Sequence, residues 1–534
     1  MRQLCVRAQH SAPASVLEYM HPGSQSCTSI REMATTPRSN QSSPTSTADS
    51  LAVSSSEATA PAAGNQLRRS FRVRDGVALI ISNVIGVGIF TTPAIIAKLV
   101  PEPRAILGLW IAGGALALAG AMSYAQLGRM WPWAGGEYIY LSKAYGPTAG
   151  FLSGWTSLIA GFSGAVAASA VGLVLYLGHY FPALASDHGL FSLNFYFGAL
   201  TFSPRSLTAA FFIVLFALLH ACNLGAGKLT QNALAFFILA VIVVFCVLGF
   251  ALGSGSWSHF QSTGISFHPS NWLLALILIM FSYSGWNAAS YISEELHDTR
   301  RSIGRALLTG TCVIVALYVF INTLYIYAVP PAEIKNGVNV GEVAATALFG
   351  QGRSFIAPVL SMFTIVALLG SISAMTIAGP RVYFAMSRDG AFIPSFARIS
   401  RRFGTPALAI ALQALWSALL VMAGTFEQIL NYTGFMILLS SGAAVAGLFV
   451  ARRHELRANP RAWLQMLAPA AFVLPCAAIV INTIWGAPKT ALIGTLLIVA
   501  GLPVFYWSRL RRRVDASVTV AAQEAPLLHR SMPE

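Results

Sequence analysis

The chain has 534 residues, of which 55% are hydrophobic and 10% charged, and its mean hydropathy is +0.64. Soluble domains carry about 25% charged residues, so soluble and fibrous classes are excluded, and long apolar runs in place of short alternating strands exclude a membrane β-barrel. The net charge of +15 comes from arginines and lysines set between apolar segments without interleaved aromatics, which points to membrane topology and away from nucleic acid.

Residues 1–70 are rich in Ser, Thr, Ala and Pro and contain no apolar run. Such a stretch cannot bury enough surface to fold, so a disordered tail is expected. It lacks the apolar core of a signal peptide, and either Met1 or Met33 fits as the start. Apolar stretches of membrane-crossing length begin after residue 75. Spans are predicted at 76–100, 105–128, 148–178, 206–223, 228–254 and 270–292, then at 303–329, 354–385, 406–424, 428–451, 466–485 and 488–508. The expected fold is therefore an all-α integral membrane protein of twelve transmembrane helices, with its core at 71–514 and a C-terminal tail at 515–534. An even count puts both termini on one side. Arg and Lys crowd the loops on that side, which makes both termini cytoplasmic in a multi-pass cell-membrane protein. The six cysteines show no metal-ligand spacing and read as small buried hydrophobes.

Two spans carry chemistry that does not suit a lipid-facing helix. The first reads NVIGVGIFTTPA, with Gly86, Gly88 and Pro93. The sixth reads MFSYSGWNAASYISEEL, with Ser282, Ser284, Gly285 and Asn287 at mid-depth. Glycine frees the backbone from helical geometry, and freed backbone is tolerated in a membrane only where it lines a cavity. One such span alone reads as close packing by small residues. Breaks in the first and sixth spans fall where an inverted repeat places its paired discontinuous helices. The half-helix after Gly88 offers unpaired N–H groups and a positive dipole end to a carboxylate. The carbonyls near Val84 and Phe281 suit an ammonium group. A pocket with both fits a zwitterion, and so an amino acid.

The segments GVGIFTTPAII, GGEYIYLSKAYGP, FSYSGWNAASYISEELHDTRRSIGRAL and PRVYFAMSRDGAFIPSFARISRRFGTPALA together resemble the amino acid–polyamine–organocation transporters. The likeness is to their L-type branch and to bacterial serine/threonine exchangers, and it runs from about Arg72 to Arg513. It implies a five-plus-five inverted repeat of the LeuT-like kind with discontinuous helices 1 and 6. It implies a carboxylate held by the amides of Val87 and Gly88, an amino group at the carbonyls of Val84, Phe281 and Ser284, and the Phe281 ring as a gate. Gly86 and Gly285 complete the substrate-binding set. Three departures stand out. Val87 replaces a usually small residue. Residues 179–205 hold no cysteine for a disulfide-linked heavy chain. Ile238 stands where many members carry a lysine.

Other residues carry alternatives. Glu294 and Glu295 read as a solvated face, or as an inner gate pairing with Arg72 or Arg74. Glu137 has the same ambiguity. His220 reads as interfacial, and Trp155 and Trp286 as packing or pathway residues. Ser371, Ser373 and Thr376 offer hydroxyls to a sodium ion, or bond their own helix. The expected activity is secondary transport of neutral L-amino acids, by exchange or ion coupling. A polyamine or cationic amino acid carrier would want an acidic pocket, and no carboxylate falls inside a predicted span. A membrane-embedded enzyme would need a His–carboxylate constellation, which His188, His268 and His297 do not form. No catalytic residue, cofactor or metal is expected. The partners are amino acid substrate and lipid, and a homo-oligomer is compatible with the sequence.

Overall fold

The computed structural model describes residues 67–510, apart from 87, 196–197, 262–263, 265–267, 335–339, 351–355 and 425. Residues 1–66 of the expected N-terminal tail, the expected C-terminal tail and Val87 lie outside the described residues.

Helices α1 (Val73–Val84) and α2 (Gly88–Leu99) meet at a bend of 48°. The α3 helix (Pro103–Met130) starts on Glu102, whose carboxylate accepts from the Ala105 N–H, with Pro103 at the first turn where no N–H is needed. Gly146, at φ 99°, separates α4 (Glu137–Tyr145) from α5 (Pro147–Thr156). A π turn at Ser157–Gly161 joins α5 to α6 (Phe162–Leu177). Then come α7 (Pro204–Cys222), α8 (Leu224–Leu252) and α9 (Pro269–Ser282), followed by a 3-10 segment at Ala288–Glu295. The long α10 (Thr299–Ala328), the short α11 (Val340–Phe349) and α12 (Ile356–Arg388) follow. The chain continues through α13 (Ala407–Met422), α14 (Phe426–Ala451), α15 (Leu467–Gly486) and α16 (Pro488–Val499).

Among the described residues, nine helical segments are long and apolar enough to cross a membrane, or ten if the bent pair α1–α2 is one span. The predicted sixth and ninth spans fall on α9, with 14 residues, and α13, with 16. Both are apolar but short of a full crossing. The fold is helical as expected, and one loop adds the two strands found among the described residues. Residues 179–205 contain an antiparallel hairpin of β1 (Phe191–Phe195) and β2 (Gly198–Phe202), with Ser192 opposite Thr201 and Phe191 stacked on Phe202. The alternation in FSLNF is the period-two signal that a search for long apolar runs passes over.

The α10 helix packs along both α3 and α1, so α1 is enclosed by protein. Two small residues of α3 let neighbouring helices come close. A Cβ on Gly114 would collide with Val315 of α10, and one on Gly113 with Ile279 of α9. Without a hydrophobic drive between helices in lipid, such close backbone approach supplies the packing energy.

Candidate functional site

The two helix breaks cross. The α1 helix stops at Val84, and Ile85 turns to extended geometry at φ −75°, ψ 100°. Helix resumes at Gly88, where the first amides of α2 have no intrahelical acceptor. Pro93 inside α2 also leaves the Ile89 carbonyl without its helical donor. On the other strand of the crossing, α9 stops at Ser282, and Gly285 takes φ 104°, a left-handed geometry that side chains other than hydrogen resist. A Cβ on Gly285 would lie 2.7 Å from Asn83 Nδ2 and 3.0 Å from the Asn83 carbonyl oxygen. A Cβ on Gly88 would lie 3.1 Å from Ser282 Oγ. Asn83 thus meets Gly285 and Gly88 meets Ser282, so the breaks run antiparallel. Beside Gly86 the side-chain direction is open, with no atom within 4 Å of a Cβ placed there. The two glycines of the first motif therefore differ: Gly88 permits helix contact, whereas Gly86 borders free space.

Polar atoms around the crossing are tied from outside it. The Ser282 hydroxyl bonds Thr92 Oγ1 at 3.0 Å. The Tyr318 hydroxyl on α10 donates to the Val84 carbonyl at 2.9 Å and reaches the Ser282 carbonyl at 3.2 Å. Trp110, Tyr283 and Tyr318 pack edge to face or tilted behind the breaks. The Phe281 carbonyl accepts the Ser284 N–H at 3.0 Å, and each carbonyl oxygen keeps a second lone pair. The Phe281 ring is 40% exposed while Ser282 beside it is buried, and the ring faces Gly434 of α14. Glu137 is buried, not solvated: Tyr124 donates to it at 2.7 Å, and Asn287, two residues past Gly285, donates to it as well. A cavity of about 30 Å³ runs from Glu137 and Tyr291 to the π turn at Ser157–Gly161.

The end of the bundle that carries residues 67–72 is closed. Ser70 and Phe71 donate backbone N–H bonds to the Glu295 carbonyl at 2.9 and 3.0 Å, and His297 donates to the Phe71 carbonyl at 2.9 Å. The expected pairing of Glu294 and Glu295 with Arg72 or Arg74 is corrected. Glu295 binds Arg381 through two bonds of 2.8 and 3.2 Å, with both side chains buried. Glu294 binds Arg388 at 2.7 Å and accepts the Leu67 N–H at 3.1 Å. Among the described residues Arg74 pairs with Asp75, at 3.8 Å, and the Arg72 backbone N–H caps α1 through Asp75 at 2.7 Å.

The candidate ion hydroxyls are engaged elsewhere. Ser371 Oγ lies 3.3 Å from Ser169 Oγ, and Ser373 Oγ lies 2.9 Å from Nε2 of His220, which is buried within the protein. Thr376 bonds the Ile372 carbonyl of its own helix. Gly370 of α12 lies against Ser82 of α1 and against buried Ile238. Trp286 packs on Tyr124 and Phe472, and Trp155 donates to the Leu497 carbonyl.

Sequence reasoning missed Tyr318, Asn83, Arg381 and Arg388. Arg381 carried a signal, because it falls inside the predicted span 354–385, and an arginine at that depth requires a buried acceptor. Tyr318 carried none, since one tyrosine in an apolar helix looks like any other.

The amino acid permease family model matches residues 73–508. The serine/threonine exchanger SteT of Bacillus subtilis (strain 168) is 27% identical over 84% of this chain and 98% of its own length. The large neutral amino acids transporter small subunit 2 of Rattus norvegicus is 26% identical over 84% of this chain and 82% of its own. The human Asc-type amino acid transporter 1 is 24% identical over 82% of each. The chain belongs to the amino acid permease family and is a multi-pass membrane transporter of amino acids, not an enzyme.

Proposed function

We propose that this member of the amino acid permease family exchanges neutral L-amino acids across the cell membrane by alternating access. The observation that carries the reading is the antiparallel crossing of two helix breaks beside open space at Gly86. There the first amides of α2, that of Gly88 among them, offer a positive helix end to a carboxylate; the Val87 amide, outside the described residues, is the second donor in this reading. The carbonyls of Val84, Phe281 and Ser284 face an ammonium group as acceptors, and Phe281 closes over the substrate. Relatives named for serine/threonine exchange and for large neutral amino acids support both the substrate class and exchange.

In this reading the core at 71–514 has twelve spans in a five-plus-five inverted repeat. The α1–α2 pair forms the first span, and α9 with its 3-10 extension forms the sixth. Both tails, 1–70 and 515–534, are cytoplasmic, which the placement of Arg and Lys supports. The closed end is then the cytoplasmic gate, and release requires residues 67–72 to part from residues 294–297. Sodium coupling through Ser371 and Ser373 is the weaker option, because their hydroxyls already have partners. With no cysteine at 179–205, no disulfide-linked partner is proposed. Buried Glu137 beside Asn287 favours a second reading, a carrier of cationic amino acids.

Proteoliposomes loaded with unlabelled neutral amino acid, or left empty, test this. Labelled L-serine, L-threonine or L-leucine should enter loaded vesicles and not empty ones. Equal uptake into empty vesicles under a sodium gradient would contradict exchange, and selective L-arginine uptake would favour the second reading.

A further inference from the structure

A separate polar site lies outside the crossed breaks, at the closed end. Arg68 and Arg69 on the incoming segment, Lys228 in the first turns of α8, His297, and Arg401 and Arg402 before α13 all line one open cavity of about 840 Å³. No Asp or Glu lines it. Among the described residues, Arg68, Arg69, Arg401 and Arg402 have no carboxylate within ion-pair distance. Lys228 donates to the Ser70 carbonyl and reaches Asp75 only at 3.9 Å. The contrast with Arg381 and Arg388 is sharp, since each of those is matched by its own glutamate.

The cavity walls are fixed. The Thr405 hydroxyl donates to the Ala221 carbonyl at 2.6 Å, which pins the 401–404 turn to the end of α7. Gly404 N–H closes that turn on the Ser400 carbonyl at 2.8 Å. The parallel bridge between Phe71 and Leu296 sets the opposite wall. The cavity opens where α7 ends and α8 begins, both helices of membrane-crossing length, so it sits at headgroup depth. Four guanidinium groups without a carboxylate in reach among the described residues, beside Lys228 with Asp75 at 3.9 Å, repel one another, and an anion with several oxygens relieves that repulsion. Guanidinium groups suit phosphate because they present paired donors in one plane.

We propose that this cavity binds a phosphate-bearing anion, either the headgroup of an anionic phospholipid or a soluble organic phosphate. Once seated, it bridges the strap at Arg68 and the turn at Arg401–Arg402. The proposal does not depend on which amino acid is carried.

The test uses the full chain in phosphatidylcholine nanodiscs with and without cardiolipin, lipid retention being read by native mass spectrometry, and titrates pyrophosphate into the cardiolipin-free discs. Selective cardiolipin retention identifies a headgroup, and saturable pyrophosphate binding identifies a soluble phosphate. The R68Q/R401Q/R402Q variant should bind the ligand at least about tenfold more weakly, since each basic side chain near an anionic surface contributes measurably. The R68K/R401K/R402K variant, which keeps the charge and loses the planar fork, should bind more tightly than the glutamine variant and more weakly than wild type. Thermal unfolding in phosphatidylcholine, unchanged in both variants, controls for folding. Wild-type binding should also weaken steeply as salt is raised, a readout that needs no substitution. A wild-type chain that binds neither probe, a glutamine variant that binds like wild type, or binding insensitive to salt would overturn the proposal.

Discussion

The hydroxyl of Tyr318 donates to the carbonyl oxygen of Val84 over 2.9 Å. The same hydroxyl lies 3.2 Å from the Ser282 carbonyl, so one side chain of α10 holds the ends of both broken helices. In Tyr318→Phe two buried carbonyls lose this donor, and stability should fall by about 1–3 kcal/mol. Because Val84 belongs to the proposed ammonium site, KM should rise more than kcat falls. Thermal unfolding and exchange kinetics check both. An unchanged KM would remove Tyr318 from the site.

Phe281 stays exposed beside a buried neighbour because its ring faces Gly434 across a helix gap and not a packed core. If it closes over substrate, Phe281→Ala should lower uptake by about tenfold or more, the scale on which lost positioning costs rate. Surface abundance and unfolding temperature should stay close to wild type. Normal transport by abundant, inserted Phe281→Ala protein would sink the gate assignment.

Removing one partner of a buried ion pair strands the other charge. Arg381→Leu should therefore destabilise by about 3–5 kcal/mol. Glu294→Gln, at a pair that is not fully buried, should cost distinctly less. Unfolding temperatures in one detergent give the ranking, and equal losses would contradict the burial argument.

What the sequence made legible follows from how local each signal is. Nine or ten spans, the break at Gly86–Gly88 and the left-handed turn at Gly285 are written in short runs of residues, and each is in place among the described residues. Partners of charged groups are not local. Glu295 finds Arg381 and not Arg72, because α12 passes beside the 3-10 segment, and no spacing along the chain announces that contact. Glu137 looked like a loop residue because it follows two glycines, yet those glycines fold it inward onto Tyr124 and Asn287. Gly86 and Gly88 both belong to the expected substrate-binding set, and it is the crossing that puts open space beside one and Ser282 beside the other.

Glu137 is the carboxylate bonded to Asn287, two residues past the second break, and Tyr124 and Asn287 both donate to it. Exchange should therefore show no steep dependence on an imposed pH gradient at fixed membrane potential. Concentrative uptake driven by a pH gradient alone, in sodium-free vesicles without internal amino acid, would overturn this. Loss of that uptake in Glu137→Gln would then name the coupling group.

The central claim is that substrate sits in the open space beside Gly86. A Cβ there meets no atom within 4 Å, whereas one on Gly88 lies 3.1 Å from Ser282 Oγ, so leucine at the first position fills the site and leaves the crossing intact. The direct measurement is equilibrium binding of whichever labelled neutral L-amino acid the wild type binds best, compared in wild type, Gly86→Leu and Gly88→Leu, with thermal unfolding in parallel. Gly86→Leu should lose binding and keep its unfolding temperature, while Gly88→Leu should lose both. Gly86→Leu protein that is stable and binds with wild-type affinity would contradict the account.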